Sequence, residues 1–345
     1  MAEIDIWRSA AYRADVAYVA EQAAGMAGSH VLLTGATGMV GVILADALAE
    51  AGCRLTVAGR SRARAEARLG RHMGKANFTF AEQDAAAPFD PALRPDFIIP
   101  LASNTHPLAY SLQPVETVIT NVLGARNALD LARESGAAVI YPSSVEIYGN
   151  ARAADDVFTE GYTGLLDLSS ARSCYNESKR TGEALCQSYA KEHGVRVRIA
   201  RLSRLLGPTM LPSDSKASSQ FINKALAGED IVLKSKGDQL FSYAYAADAA
   251  AAMLHLATHG DDGQAYNVSG GKACDTRLRD LAGLCARWAG RQVVFDLPPE
   301  AEMAGYSKAS VALMDIGKLR ATGFEPRFAM SDAIGRTLDI MSGRE

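Results

Sequence analysis

A glycine-rich turn between an apolar run and a helix-like stretch constrains this chain more than any other feature. His30-Val31-Leu32-Leu33-Thr34 is short and apolar, Gly35-Ala36-Thr37-Gly38-Met39-Val40-Gly41 follows at once, and residues 39–51 continue as an apolar helical segment. A strand that feeds a helix through glycines leaves the first backbone N–H groups of that helix open to an anion, and the missing side chains let a pyrophosphate come close. Candidate contacts to a dinucleotide are therefore Gly35, Thr37, Gly38, Met39, Val40 and Gly41. Arg54-Leu55-Thr56-Val57-Ala58 reads as a second strand, so the segment predicts a βαβ unit.

The same rhythm continues downstream. Strand-like runs at 77–81, 96–101, 137–141 and 195–202 alternate with helical stretches such as 115–134 and 171–193. Strands alternating with helices predict an α/β fold built on a doubly wound parallel sheet of the Rossmann type. After residue 203 the pieces shorten: Gly207-Pro208, a loop at 212–219, a helix at 221–227, and strand-like runs at Ile231 and Tyr243. A smaller, irregular C-terminal substrate lobe is expected there, with a helix at 246–258 and a strand at 265–268 returning to the sheet. The expected division is a dinucleotide-binding domain of 29–203 and 241–270, and a substrate lobe of 204–240 and 271–345. Residues 1–28 read as an amphipathic extension packed on the main body or on a second subunit.

Composition narrows the partners. With 345 residues, 48% of them hydrophobic and 22% charged, the chain can bury a sizeable core and is neither disordered nor coiled coil. Lys plus Arg number 36 against 39 Asp plus Glu, a net charge of -3, which lacks the basic footprint of a nucleic-acid binder and favours a small-molecule partner. Charges interrupt residues 1–28, and no apolar run approaches the roughly 20 residues of a bilayer span, so a cytoplasmic protein without a membrane partner is expected. Five cysteines without a close pair predict free thiols. His30, His72, His106, His193, His255 and His259 show no ligand spacing, and no metal is expected.

Tyr175 and Lys179 are four apart within the helical stretch 171–193, so both side chains leave one face. An ammonium beside a phenol favours the phenolate, which predicts a Tyr175 lowered from its ordinary value near 10 and able to act as a base. Ser144, at the end of the preceding strand, is placed to hydrogen-bond the same substrate hydroxyl and orient it for hydride transfer. The second strand ends Ala58-Gly59-Arg60-Ser61-Arg62, where a 2′-phosphate would suit Arg60 and Ser61, which favours NADP over NAD.

The Gly-x-x-Gly-x-x-Gly spacing resembles that of the short-chain dehydrogenase/reductases, and with Ser144, Tyr175 and Lys179 the chain resembles their extended branch, the NAD-dependent epimerase/dehydratase family acting on nucleotide sugars. The resemblance covers about residues 29–330 and is carried by Leu101-Ala102-Ser103, Pro114-Val115-Glu116, Asn121-Val122-Leu123-Gly124, Ser143-Ser144-Val145-Glu146-Ile147-Tyr148-Gly149, Ala200-Arg201-Leu202 and Gly207-Pro208. It implies a tightly bound, recycled NADP or NAD contacted by Leu101, Ala102, Ser103, Asn121, Tyr175 and Lys179, with Asp84 at the adenine and Ser103 also facing substrate. It implies a homodimer paired through the helices at 115–134 and 171–193.

Within the family, Arg172-Ser173-Cys174-Tyr175-Asn176-Glu177-Ser178-Lys179-Arg180 is most similar to the UDP-glucuronate decarboxylases, as is Glu146 two residues after Ser144. The family implies oxidation at C4 of the sugar, divergence at the 4-keto intermediate, and return of the hydride. A dehydratase of this family carries an Asp-Glu pair where this chain has Val145-Glu146, and a valine cannot protonate a leaving hydroxyl. A decarboxylase needs a cation for the substrate carboxylate. The family's arginine before its C-terminal segment is replaced near Ala312 or Leu313, leaving Lys308, and the Gly-x-Gln-x-Arg segment reads Gly237-Asp238-Gln239-Leu240-Phe241. Arg204 and Lys216 are candidate phosphate contacts, and His106 lies on a substrate-side loop. The expected activity is decarboxylation, followed by 4-epimerisation and then 4,6-dehydration; a non-catalytic dinucleotide-binding sensor or RNA- or protein-binding module is the reading from another class.

Overall fold

The computed structural model describes residues 5–105, 107–153, 155–297 and 311–344. Helix α1 (Ala10–Glu21) leads into β1 (His30–Thr34), α2 (Met39–Glu50), β2 (Arg54–Gly59), α3 (Arg62–Leu69) and β3 (Phe78–Glu82). Next come β4 (Phe97–Pro100), α4 (Pro107–Leu112), α5 (Pro114–Ser135), β5 (Ala138–Ser144), β6 (Val157–Phe158), α6 (Ser173–His193) and β7 (Arg196–Leu202). The remainder runs β8 (Arg204–Leu206), α7 (Ala217–Leu226), β9 (Ile231–Leu233), β10 (Leu240–Tyr245), α8 (Ala246–His259), β11 (Gln264–Val268), β12 (Asp275–Arg277), α9 (Leu278–Ala289), β13 (Val293–Phe295), β14 (Val311–Met314), α10 (Gly317–Arg320) and α11 (Met330–Ser342).

Seven strands form the main sheet in the order β11-β7-β5-β4-β1-β2-β3, every pair parallel. This is the doubly wound α/β architecture that the alternation of strands and helices predicts. Val31, Leu32 and Leu33 of β1 are wholly buried because helices cover both faces of the sheet, which is why the strand reads as a continuous apolar run rather than an alternating one. Strand order reverses between β1 and β4, and the crevice beyond their carboxyl ends is the place where such sheets take ligands. The register opposes Thr34 to Pro100, so the glycine turn after β1 lies directly against the segment after β4.

A second sheet has the order β12-β10-β14-β6, with β8 added on β10, and β9 pairs with β13 separately. Strand β11 returns to the edge of the main sheet against β7. Strand β10 does not: it pairs with β8, β12 and β14 in the second sheet, although it lies in the segment expected to rejoin the first. Its neighbour β8 follows β7 after one residue, so the chain changes sheets at Ser203.

The N-terminal segment belongs to the main body. Helix α1 packs on α2 and α8, and Tyr12, Val16 and Val19 are completely buried there. Each such side chain contributes about 2 kcal/mol of burial. Polar contacts fix the helix further: Tyr12 Oη donates to Asp46 at 2.6 Å, Tyr245 Oη donates to Asp15 at 2.6 Å, and Tyr18 Oη donates to Asp248 at 3.0 Å. Arg336 of α11 donates to Asp15 at 2.7 Å, which ties the first and last of these helices together. Among the described residues no helix is long and apolar enough to cross a membrane.

Candidate active site

The glycine turn shows which of its glycines the fold itself requires. Gly35 has φ +65°, and a Cβ there would stand 2.7 Å from Leu101 C and Ala102 N. A Cβ on Gly41 would stand 2.4 Å from the Gly35 carbonyl oxygen, because α2 packs tightly on the turn. Gly38 is different: its φ is ordinary and its nearest neighbour to a Cβ is 3.3 Å away. It caps α2 without any side-chain hydrogen bond, which leaves the first N–H groups of that helix open at the crevice mouth. Bare helix N–H groups beside a backbone with no side chain fit a pyrophosphate.

The other candidate cofactor residues line the same end of the sheet or flank it. The Ala102 amide donates to Thr34 Oγ1 at 3.0 Å, holding the Leu101-Ala102-Ser103 segment against β1. Arg60 and Ser61 follow β2 and are exposed; Arg60 pairs with Glu116 of α5 at 3.3 Å, and Ser61 caps α3 by accepting from the Arg64 amide at 3.2 Å. Asp84 follows β3 and accepts from the Ala86 amide at 2.9 Å. Asn121 of α5 donates to Ser178 Oγ at 2.8 Å, Ser178 donates to the Tyr175 carbonyl at 3.0 Å, and the Asn121 Oδ1 is buried without a partner. Asn121 therefore stands directly behind the helix that carries Tyr175.

Helix α6 reaches the end of β5 because Gly182 lets it close on Tyr141; a Cβ at that glycine would overlap the Tyr141 hydroxyl. The close approach brings the Tyr175 phenol beside Ser144, the last residue of β5, near enough for the Ser144 hydroxyl to favour the ionised phenol. Lys179, one turn further, is buried and donates from Nζ to the Pro142 carbonyl at 2.9 Å, with its ammonium 5.9 Å from the Tyr175 ring centroid.

The electrostatics differ from the sequence expectation. Burial raises the Tyr175 phenol well above its ordinary value, and the Ser144 hydrogen bond opposes that only in part. Burial also lowers the Lys179 ammonium to about 8, while Glu183 one turn on favours its charged form. Desolvation is the largest influence on both groups, so the phenol is not lowered in the protein alone. Glu183 is itself held by Arg201, whose Nε and Nη2 donate to its carboxylate at 3.0 and 2.7 Å.

Glu146 follows Ser144 in a short 3-10 turn and donates its amide to Ser144 Oγ at 3.3 Å. Asn176 Nδ2 donates to the Glu146 carbonyl at 2.7 Å, and Arg204 Nη2 donates to the Glu146 carboxylate at 3.3 Å. The Arg204 guanidinium lies 3.7 Å from the Phe241 ring centroid. The structure thus gathers Ser144, Glu146, Tyr175 and Arg204 at the ends of β5 and β7. Lys216 is not free for an anion: its Nζ donates to Asp214 at 2.9 Å. His106 and Lys308 lie outside the described residues.

Two participants are not singled out by the sequence. Tyr110 of α4 stacks on Tyr175 with centroids 5.5 Å apart, and Asn176 fixes Glu146 although it reads only as part of a motif. The short α4 gives too few residues for a periodic pattern, so nothing in the sequence marks Tyr110.

The sequence profile of the NAD dependent epimerase/dehydratase family matches residues 31–269. The chain belongs to that family. It is 33% identical over 219 residues to UDP-glucuronic acid decarboxylase 1 of Xenopus tropicalis, a match covering 64% of this chain and 51% of that one, so it spans about half the length of the Xenopus protein. It is also 33% identical over 240 residues to UDP-glucuronic acid decarboxylase 5 of Arabidopsis thaliana, covering 69% of each. The fold superposes with a TM-score of 0.80 and 20% identity on an epimerase of Methanothermobacter thermautotrophicus, covering 94% of this chain and 95% of that one. At that identity the structural likeness shows the shared fold of this epimerase/dehydratase family member.

Proposed function

We propose that the protein is a nucleotide-sugar decarboxylase that acts on a UDP-linked uronate through a 4-keto intermediate, with Ser144, Tyr175, Lys179 and Glu146 as its working residues. The observation that carries this reading is the Tyr175 phenol set beside Ser144, next to the Glu146–Arg204 pair. A bound NAD(P) supplies the acceptor for a hydride and later gives the hydride back. Gly35, Gly38 and Gly41 shape its place at the α2 N-terminus, Leu101 and Ala102 border that place, and Ser103 and Asn121 are the further residues assigned to it.

Ser144 and Tyr175 hold the C4 hydroxyl, and the ionised form of Tyr175, a phenolate, takes its proton as C4 is oxidised. Lys179 sets the charge around that phenol from one turn away. With a ketone at C4, the carboxylate on C5 belongs to a β-keto acid. The bond from C5 to the carboxyl carbon breaks, its electron pair moves onto the C4 oxygen as an enolate, carbon dioxide leaves, and C5 regains a proton. The enolate charge forms where Tyr175 and Ser144 already hold the oxygen, so one pair of groups serves both oxidation and carbon loss.

Arg60 and Ser61 favour NADP as the bound form, since one guanidinium beyond β2 suits a 2′-phosphate. Arg60→Ala should then weaken NADP more than NAD. A homodimer fits the exposed apolar residues Leu112, Val115, Val118 and Ile119 at the α4–α5 corner. Incubation with UDP-glucuronate, UDP-glucose and dTDP-glucose tests the reaction by product mass. Loss of carbon dioxide from UDP-glucuronate supports it; loss of water, or an isomer of unchanged mass, replaces it with dehydration or epimerisation.

A further inference from the structure

The Arg204 guanidinium is held on two sides and left without a partner on a third. Its face is covered by Phe241 at 3.7 Å, and its Nη2 donates to Glu146 at 3.3 Å. Its Nη1 is buried without a hydrogen-bond partner among the described residues. An unpaired buried donor on a charged group is costly, and a bound ligand, ion or water that completes it is one way such a donor is retained. The guanidinium also sits close enough to Tyr110 for its charge to favour ionisation of that phenol, while Glu146 opposes it. Tyr110 in turn stacks on Tyr175. The unpartnered Nη1 therefore sits on a side chain that belongs to the same cluster as Glu146, Tyr110 and Tyr175, not to a distant surface.

We infer that Arg204 recognises the carboxylate on C5 of the substrate, making the site selective for a nucleotide-linked uronate over the corresponding neutral hexose. The inference rests on the decarboxylase reading and names the cation that reading requires. C5 is bonded directly to C4, so a group fixed beside the oxygen of C4 at Tyr175 brings its C5 substituent to the neighbouring residues, and Glu146–Arg204 is the charged pair there. A guanidinium offers parallel N–H groups to a carboxylate, which suits Nη1 once Nη2 is engaged. Glu146 has a second effect. It shares the positive charge, so the substrate carboxylate is oriented without being held as a full ion pair, and an oxygen lone pair stays free to form the second C=O of carbon dioxide as the bond to C5 breaks.

Binding of UDP-glucuronate, UDP-glucose and UDP to the NAD(P)-loaded protein is measured calorimetrically for the wild type, Arg204→Gln and Arg204→Lys. The wild type should prefer UDP-glucuronate over UDP-glucose by about tenfold to a hundredfold, the range of one hydrogen bond to a charged group. Arg204→Gln should remove that preference while leaving UDP affinity intact, which also reports that the variant is folded, and Arg204→Lys should keep part of it. Equal weakening of all three ligands would place Arg204 on the diphosphate and overturn the assignment. So would a Gln variant that still prefers the uronate. A wild type that releases carbon dioxide but loses no discrimination in the variant sinks this inference alone; one that neither binds nor decarboxylates UDP-glucuronate sinks the decarboxylase reading with it.

Discussion

The Tyr110 ring lies on the Tyr175 ring with centroids 5.5 Å apart and planes 22° apart. Tyr110 thereby keeps solvent from the phenol that Ser144 binds, and burial is the largest influence raising that phenol. Tyr110→Ala should let Tyr175 ionise more easily, because removing desolvation favours the charged form. The acid limb of kcat/KM should move to lower pH in the variant, measured across a pH series. A limb that stays in place would show that α4 does not shield Tyr175.

The three turn glycines should separate folding from cofactor binding. Gly35→Ala forces a positive φ on an alanine and a collision with backbone, so it should destabilise the fold by several kcal/mol, read as a lower melting temperature. Gly38→Ala meets its nearest atom only at 3.3 Å and should melt within a few degrees of the wild type. It should still lose most of its NAD(P) affinity in a binding titration, since the new methyl group enters the space in front of α2.

The glycine turn, the parallel sheet and the Ser144, Tyr175 and Lys179 set were legible because each depends on local spacing: a turn between two periodic segments, or residues one helical turn apart. What the sequence could not show depends on distant chain segments meeting. Glu146 and Arg204 lie on different elements, and their pairing exists only because β5 and β7 end side by side. The direction of the Tyr175 shift escapes the sequence for a related reason. Spacing reveals the nearby ammonium but not the burial that outweighs it. The extension at 1–28 gave no sign of its location, since Tyr12, Val16 and Val19 are apolar enough for either a core or a partner.

Lys179 carries a stability cost that its removal should expose. Its ammonium falls from 10.5 to about 8 on folding, so the folded protein holds fewer protons than the unfolded chain between those values. Stability should therefore rise as pH climbs through that window and be lowest, for this group, below pH 8. The gap corresponds to roughly 3 kcal/mol, offset by about 1 kcal/mol for the hydrogen bond to Pro142. Lys179→Met should be inactive yet more stable than the wild type at pH 7, and denaturant titrations should show the difference shrinking toward pH 10.5.

Helix α1 should behave as core. Tyr12→Phe removes one hydrogen bond to the buried Asp46, and should cost about 1 to 2 kcal/mol in urea unfolding without changing substrate affinity. An unchanged midpoint would mean that Arg71 and His72, which also bind Asp46, suffice to hold it.

Oxidation and re-reduction at C4, with Tyr175 moving the proton, is tested most directly with UDP-glucuronate carrying deuterium at C4. The account predicts a UDP-pentose that has lost carbon dioxide and retains the deuterium at C4, a slower turnover with the labelled substrate, and no product from Tyr175→Phe. Deuterium lost to solvent, or a Tyr175→Phe variant that turns over like the wild type, would contradict it.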